Sequence, residues 1–408
     1  MSGLTGKGRR FKFYAPKTDI IFYPGALEVV GYETRKLGKV ALLVTGRSSM
    51  KKLGFLDKTI ESFKKAGVQV VHYGEVEPNP TVDIVNEGAK KAIENACDVI
   101  VALGGGSSID TAKAIAVAAG HARGKPISIW DFISPEGANE EITAQTLPLV
   151  TIPSTSGTGS HVSQDSVITN SKTKQKQGFG SPFLFPKISI IDIEILSKMS
   201  PRLTAIVGFD ALTHAIESFF SAHSNPISEL YSLEAIRLIF RNLPQAYENG
   251  DDQQARKEMA LADTYAGWAD TTTSDILPHA MAHPVSGHHP RVAHGVSLAA
   301  LFPAIMRFNL EGADKCTIEK YCKVTRAATG KSIFDNKTGK EEASKSVDLI
   351  EKLLKTIKLN VSLKDLDVER TKFKLMAEDA IKTMPEAIQA NPRKVSEEDI
   401  VALYEQCY

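Results

Sequence analysis

Histidines are concentrated in one short stretch of this chain. Five of the ten histidines fall within sixteen residues, at His279, His283, His288, His289 and His294. On a helix, His279 and His283 would share one face because residues four apart do so, and the pair could bind one ion. The segment from Pro284 to Pro290 predicts a turn, which would carry His288 and His289 to a solvated position at the rim of a cleft.

A second pair with the same spacing is Asp210 and His214, in the segment FDALTHAIE. Alone, this spacing is common by chance and more often marks a surface pair. Combined with His279 and His294, it gives one hard oxygen and several imidazole nitrogens without a thiolate, a donor set that suits Fe²⁺ or Zn²⁺. The set is typical of a catalytic metal site with an open position rather than a closed structural site.

Three glycines end a predicted strand and begin a predicted helix, in the segment GGGSSIDTAK at 104–113. Glycine lets a ligand approach the backbone closely, and the free N–H groups of a following helix bind anions. The segment lacks the GxGxxG spacing, because Ile109 stands where the last glycine would be, and it is not a P-loop. It predicts a pyrophosphate site, the alternative being a tight turn without a ligand.

The segment PSTSGTGS at 153–160 follows another predicted strand. Its hydroxyl groups and flexible backbone could bind phosphate, ribose or an amide, or it could be a loop without a ligand. Two such turns in one α/β domain favour a dinucleotide over a mononucleotide.

Short β-branched segments alternate with amphipathic segments in the first half, which predicts a parallel sheet with helices between its strands. The predicted strands are Lys39–Thr45, Val68–Tyr73, Asp98–Leu103, Leu147–Ile152 and Ile188–Asp192. After about Ile195 the chain predicts only helices. We therefore expect an α/β domain at 1–195 and an all-helical domain at 196–408, with a ligand cleft between them.

Composition excludes several classes of function. The 49 Lys and Arg residues and 48 Asp and Glu residues leave a net charge of +1, which offers no general attraction to nucleic acid or an anionic membrane. The four cysteines lack CxxC spacing, and no run of eighteen apolar residues occurs. These features predict a cytoplasmic protein that binds neither nucleic acid nor a membrane.

Five motifs in order give the chain a specific resemblance to a known family. They are VEPNPT at 76–81, GGGSSIDTAK at 104–113, IPSTSGTGS at 152–160, GFDALTHAIE at 208–217, and HAMAHP at 279–284 followed by His294. Together they resemble the iron-containing (group III) alcohol dehydrogenases.

The resemblance implies a Rossmann-like NAD(P)-binding α/β domain followed by an all-α domain, in a dehydroquinate synthase-like architecture. It implies hydride transfer between NADP(H) or NAD(H) and a short-chain alcohol, diol or aldehyde, in a homodimer or larger homo-oligomer. It places the metal ligands at Asp210, His214, His279 and His294, and His283 beside the substrate. The implied cofactor residues are Asn79, Gly105, Gly106, Ser107, Asp110, Ser154, Thr155, Thr158 and Lys176.

Two positions depart from the family pattern. Many members carry Glu where this chain has His161, so the role of that residue is open. NAD-preferring members often have Asp after the first strand of the cofactor domain, whereas this chain has Gly46, Arg47 and Ser48. A cation and hydroxyls in place of a carboxylate favour the 2′-phosphate of NADP(H) over NAD(H). The alternatives are a glycerol dehydrogenase-like zinc enzyme, a synthase of the same fold, or a non-catalytic nucleotide-binding protein.

Overall fold

The computed structural model describes residues 11, 13, 15–122, 128–133, 138, 140–333 and 338–408. Its strands lie in the first half of the chain. They are β1 (Asp19–Phe22), β2 (Val40–Gly46), β3 (Gln69–Val76), β4 (Val99–Gly104), β5 (Leu149–Pro153), β6 (Asp165–Thr169), β7 (Lys176–Gly180) and β8 (Ile188–Ile191).

Helices separate these strands and make up most of the remaining chain. In the first half they are α1 (Val30–Arg35), α2 (Ser49–Lys52), α3 (Phe55–Ala66), α4 (Val82–Glu94), α5 (Gly106–Gly120) and α6 (Ile193–Leu196). The others are α7 (Pro201–Phe220), α8 (Pro226–Glu248), α9 (Gln253–Asp270), α10 (Leu277–His288), α11 (His294–Glu311), α12 (Lys315–Thr329), α13 (Lys340–Thr356), α14 (Phe373–Thr383), α15 (Pro385–Ala390) and α16 (Glu397–Gln406). Short 3-10 helices occupy Ala26–Val29, Ile129–Phe132, Pro182–Leu184 and Arg370–Lys372.

Among the described residues, six strands form one parallel sheet in the order β1-β8-β5-β4-β2-β3. The central strand β4 is buried along its whole length, as expected of a parallel sheet with both faces covered. Strands β4 and β5 are neighbours, and Gly104 pairs with Pro153 at their carboxyl ends. The glycine turn and the PSTSGTGS loop therefore leave the sheet side by side, where ligands bind in open α/β sheets.

The predicted fold class is confirmed, and most predicted elements are found within a few residues of their expected bounds. Helices α2 and α3 are separate because Gly54, between them, takes a left-handed conformation, with φ of 78°. The antiparallel hairpin of β6 and β7 was not predicted. The sheet ends at Ile191 and the long helices begin at Pro201, while the division near residue 195 stays a prediction.

The helical half packs around α7, which is buried over most of its length. Among the described residues, α7 is the one helix long and apolar enough to cross a membrane by length and composition, and 83% of its apolar window is buried inside the fold. Its neighbours include α8, α9 and α11. Helix α7 is therefore the core helix that fixes the position of Asp210 and His214.

Candidate active site

Three helices bring the four predicted metal ligands together. Helix α7 carries Asp210 and His214, α10 carries His279, and His294 is the first residue of α11. Oδ1 of Asp210 lies 3.8 Å from Nε2 of His279 and 3.9 Å from Nε2 of His294. The imidazole of His214 stacks on that of His279 with ring centroids 4.6 Å apart.

The free donor atoms of these side chains fit a divalent metal ion. Donor atoms of Asp210, His214 and His279 all lie within 4.8 Å of one another. Oδ1 of Asp210 and Nε2 of His279 are buried and have no hydrogen-bond partner among the described residues. Buried polar atoms without partners are costly, so their convergence on one point indicates a bound cation.

Hydrogen bonds to the other ring nitrogens orient two of these imidazoles. Nδ1 of His214 donates to the carbonyl oxygen of Gly157 at 3.2 Å, and Nδ1 of His279 donates to Oε1 of Glu217 at 2.6 Å. In both residues this leaves Nε2 as the nitrogen that can bind a metal. Such outer partners commonly fix the tautomer and orientation of metal-binding histidines.

Glu217 is the last residue of the GFDALTHAIE motif, and the sequence predicts no role for it. Its side chain is fully buried, and Oε2 also accepts the backbone N–H of Ile276 at 2.9 Å, at the N-terminus of α10. The carboxylate therefore joins α7 to α10 and holds His279. The sequence could have indicated this role, because Glu217 lies three residues after His214 and therefore on the same face of the helix.

We expect Glu217→Gln to weaken metal binding by about 10- to 100-fold, because the amide removes the charge that strengthens His279 as a ligand. The measurement is a competitive titration of the metal against a chromophoric chelator. Glu258→Gln on the exposed side of α9 serves as the matched control. Equal metal affinity in the Glu217 and Glu258 variants would contradict this role.

The electrostatics of the site differ between its histidines. Burial lowers the pKa of His279, but the carboxylates of Asp275, Glu217 and Asp210 outweigh it and raise that pKa well above its usual value. Burial, and then the charge of Lys176, hold the pKa of His283 well below its usual value, and His294 behaves alike. The carboxylates of Asp275, Glu217 and Asp210 therefore favour positive charge at this point of the cluster.

Most predicted cofactor residues line the same cleft as the metal ligands. One cavity of about 400 Å³ contacts both groups of residues. From the predicted cofactor set it is lined by Asn79, Gly105, Gly106, Ser107, Asp110, Thr155, Thr158 and Lys176, and from the helical half by Asp210, His214, His279, His283 and His294.

Close backbone contacts shape the end of this cleft next to the glycine turn. A Cβ atom on Gly106, the first residue of α5, would lie 2.5 Å from Cγ2 of Thr158, so a larger residue would displace the loop. The backbone N–H of Gly159 donates to Oδ1 of Asp263 on α9 at 2.8 Å, which ties the loop to the helical half. The loop at 153–160 is therefore held by contacts with both α5 and α9.

Lys176 is the buried cation of the cleft. It lies on β7, and its Nζ donates to Oδ1 of Asn79 at 3.2 Å. Burial lowers its pKa to about 8, against the opposing charges of Asp210 and Asp110. Asp110 is itself held by the hydroxyl of Ser160, which donates to it at 2.6 Å.

Four predicted cofactor residues do not line this cavity, and their roles stay predictions. Gly46 ends β2, and Ser48 precedes α2. The N–H of Ser154 donates to the carbonyl oxygen of Gly104 at 2.9 Å. Arg47 is exposed and forms ion pairs with Glu75, at 3.4 Å, and with Glu77.

Only the end of the turn expected at 284–290 is found, because α10 continues through Pro284 to His288 and the turn begins at Pro290. As a result His288 is not solvated: its Nε2 lies 2.6 Å from Oδ2 of Asp379 on α14. His289 follows the helix and is half-buried. Neither residue joins the metal cluster.

His161 lies beneath the cleft rather than in its lining. It is buried, its Nε2 lies 3.1 Å from Oγ1 of Thr264, and its Nδ1 lies 3.6 Å from Oδ2 of Asp263. Burial lowers its pKa to about 3. These contacts indicate a neutral imidazole that packs the cofactor loop against α9.

Comparisons with known proteins agree with this geometry. A family model described as iron-containing alcohol dehydrogenase matches residues 16–193, and one described as Fe-containing alcohol dehydrogenase family, C-terminal, matches residues 204–408. The chain is 36% identical to 1,3-propanediol dehydrogenase of Klebsiella pneumoniae, covering 98% of this chain and 99% of that relative. It is 35% identical to choline dehydrogenase of Bacillus subtilis, covering 94% of this chain and 92% of that relative.

A solved structure is similar over nearly the whole chain. The archaeal halo-thermophilic Red Sea brine pool alcohol dehydrogenase bound to NZQ superposes with a TM-score of 0.94 at 47% sequence identity, covering 98% of this chain and 99% of that one.

Proposed function

The chain belongs to the iron-containing alcohol dehydrogenase family, and we propose that its cleft transfers hydride reversibly between NADP(H) and a short-chain alcohol, diol or aldehyde with Fe²⁺ bound. As a member of this family the protein is an oxidoreductase that acts on alcohols. The observation that carries the proposal is the single cleft lined both by the glycine turn of the sheet domain and by the metal-ligand cluster. The alternative of a non-catalytic nucleotide-binding protein is not favoured, because all four predicted ligands are present and lie close together.

When bound, the nicotinamide supplies or accepts the hydride, and the ion acts as a Lewis acid on the substrate oxygen. The chain itself orients both groups. The amide N–H groups at the start of α5 suit the pyrophosphate, and Asp210, His214, His279 and His294 would hold the ion. We propose Fe²⁺ over Zn²⁺ because the set offers four side-chain ligands rather than three.

His283 is suited to receive the proton of the alcohol. It is one turn after His279 on α10, and it lines the cleft beside the cluster. Because burial keeps its imidazole neutral, one ring nitrogen can accept a proton. The same side chain borders a second cavity, through which the proton could reach solvent.

The direct test of the function is NADPH consumption followed at 340 nm. Metal-stripped protein is supplied with Fe²⁺ or Zn²⁺ under anaerobic conditions, with butanal or 3-hydroxypropanal as substrate. We expect aldehyde reduction that depends on the added ion and is fastest with Fe²⁺. Absence of turnover with every aldehyde and with both ions would contradict the proposal.

We propose that NADP(H) is preferred because Arg47 and Ser48 follow β2. Arg47 directly follows the carboxyl end of β2, and its guanidinium forms ion pairs with Glu75 and Glu77 that a 2′-phosphate would have to replace. A bidentate arginine–phosphate contact is stronger than an exposed ion pair with a carboxylate.

Arg47→Ala is expected to raise KM for NADPH about tenfold, the loss of one charge-assisted contact, and to leave KM for NADH nearly unchanged. Steady-state kinetics with both cofactors measure this difference. Arg35→Ala, at the end of α1, provides the control for a lost surface charge. An equal effect on NADPH and NADH would argue against a contact with the 2′-phosphate.

We also propose that the protein is cytoplasmic and assembles as a homodimer or larger homo-oligomer. The cysteines Cys97, Cys316, Cys322 and Cys407 are free thiols, which suits a reducing compartment.

A further inference from the structure

Two glycines place the loop at 153–160 directly against two helices of the helical half. Gly157 lies against α7, where an added Cβ atom would come within 2.4 Å of the carbonyl oxygen of Val207. Gly159 lies against α9, where an added Cβ atom would come within 2.5 Å of Cα of Gly267. Gly159 also has a φ of 62°, a left-handed conformation that favours glycine. The backbone of this turn therefore packs between α7 and α9 without room for side chains.

A buried carboxylate on α9 contacts the same turn. Asp263 is only 2% exposed, and its Oδ1 accepts the backbone N–H of Gly159 at 2.8 Å. Burial raises the pKa of Asp263 to about 7, while hydrogen bonds from the backbone of Gly159 and of Gly157 favour the ionised form. The other oxygen, Oδ2, lies 3.6 Å from Nδ1 of His161, which is longer than a hydrogen bond. Among the described residues, the backbone of the turn is therefore the main partner of this carboxylate.

The cleft meets different groups of the same loop. Thr155 and Thr158 line the cavity of about 400 Å³, whereas Gly157 and Gly159 do not. Backbone N–H groups of a glycine-containing turn can bind an anion such as a phosphate. In this chain Asp263 takes the place of that anion, from the side of the helical half. The groups that the loop leaves for a nucleotide are then its hydroxyls.

We propose that Asp263 is a positioning residue for nucleotide binding. Its carboxylate holds the backbone N–H groups of the loop at 153–160 against α9, so that the loop contacts the nucleotide through the hydroxyls of Thr155 and Thr158. The pyrophosphate is left to the glycine turn at the start of α5. This inference rests on the proposed function, since it concerns the nucleotide end of the same cleft.

The first test is the Kd for NADPH, measured by NADPH fluorescence on the metal-loaded protein. Asp263→Asn keeps the shape of the side chain but replaces one acceptor oxygen with an N–H donor. We expect the Kd to rise about tenfold, the magnitude of one lost charge-assisted hydrogen bond. Thr264→Val is the matched control on the next residue of α9. It removes the buried hydroxyl that lies 3.1 Å from Nε2 of His161, and it should keep the wild-type Kd because it does not touch the turn.

A double-mutant cycle distinguishes positioning from a general loss of stability. Thr155→Val removes one of the hydroxyls through which Asp263 is proposed to act. In this background Asp263→Asn should raise the Kd for NADPH by only about threefold, because part of its effect is already lost. A carboxylate that only stabilises the fold would change the Kd by the same factor with or without the hydroxyl of Thr155.

Hydrogen exchange on the wild-type protein gives a test that needs no variant. If Asp263 holds the N–H groups of the turn, a peptide covering residues 156–160 should exchange slowly without NADPH. Adding NADPH should change its exchange rate by less than about twofold. Exchange that is fast in the nucleotide-free protein and slows about tenfold or more with NADPH would overturn the inference, because the nucleotide would then be the partner of these groups.

The outcomes separate this inference from the function on which it rests. An unchanged Kd in Asp263→Asn, or an equal rise in Asp263→Asn and Thr264→Val, would overturn the inference and leave the proposed function intact. If Asp263→Asn failed to fold, the exchange measurement on the wild-type protein would decide. Failure of the wild-type protein to bind either NADPH or NADH would refute the proposed function itself.

Discussion

Replacing His279 with alanine is expected to abolish metal binding and turnover together, while the Kd for NADPH changes by no more than about tenfold. His279 is the ligand on which the other groups converge: it lies 3.8 Å from Asp210, stacks on His214, and is held by Glu217 at 2.6 Å. Alanine removes the central donor and leaves buried carboxylates without a counter-charge. Asp210→Ala should behave in the same way because it removes the one anionic ligand.

Three measurements on each variant distinguish this outcome from simple misfolding. Elemental analysis gives the metal content, absorbance at 340 nm gives turnover, and NADPH fluorescence gives cofactor affinity. His288→Ala is the matched control, since His288 lies on the same helix but pairs with Asp379 instead of facing the cluster. Full turnover by a metal-free His279→Ala protein would refute the assignment of the metal site.

Replacing His283 with alanine is expected to lower kcat by about 10²- to 10⁴-fold, the usual contribution of a positioned general base. Metal content and the Kd for NADPH should stay close to wild type, because His283 is not a predicted ligand and the glycine turn is untouched. The imidazole of His283 lies 5.3 Å, centroid to centroid, from that of His294, so its loss also removes packing near the cluster.

Rescue by a small molecule separates proton transfer from packing. Added imidazole should restore part of the lost rate in His283→Ala, because the vacated volume opens to the second cavity. His289→Ala removes a half-buried histidine outside the cluster and should keep wild-type kcat. If metal content and kcat fell in parallel, and imidazole restored neither, His283 would be structural rather than catalytic.

Much of the candidate site could be predicted from local patterns in the sequence. The spacing of Asp210 and His214 on one helix follows from helical periodicity alone. The glycine turn and the PSTSGTGS loop each follow a parallel strand, so both are expected at the same edge of the sheet. The sequence does not predict that these two strands are neighbours. Pairing of Gly104 with Pro153 is what places them together.

Other features depend on contacts between distant segments, which no local pattern encodes. Glu217 lies on α7 and His279 on α10, and only the tertiary fold brings Oε1 of Glu217 within 2.6 Å of Nδ1 of His279. Helix α10 passes through Pro284 because tertiary packing overrides the usual helix-breaking effect of proline, so His288 meets Asp379. The β6–β7 hairpin has short strands, yet it supplies Lys176 to the cleft.

The hydrogen bond from His214 to the carbonyl of Gly157 connects the predicted metal site to the loop at 153–160, which is predicted to bind the nucleotide. The same loop lines the cofactor cleft with Thr155 and Thr158. If a bound ion orders this loop, the nucleotide binds more tightly because less free energy is needed to order the loop again. By thermodynamic linkage, a bound nucleotide then raises the affinity for the ion by the same factor. A nucleotide that binds more tightly to the metal-loaded protein must retain the metal by the same factor, so cofactor supply would protect the enzyme against loss of its ion.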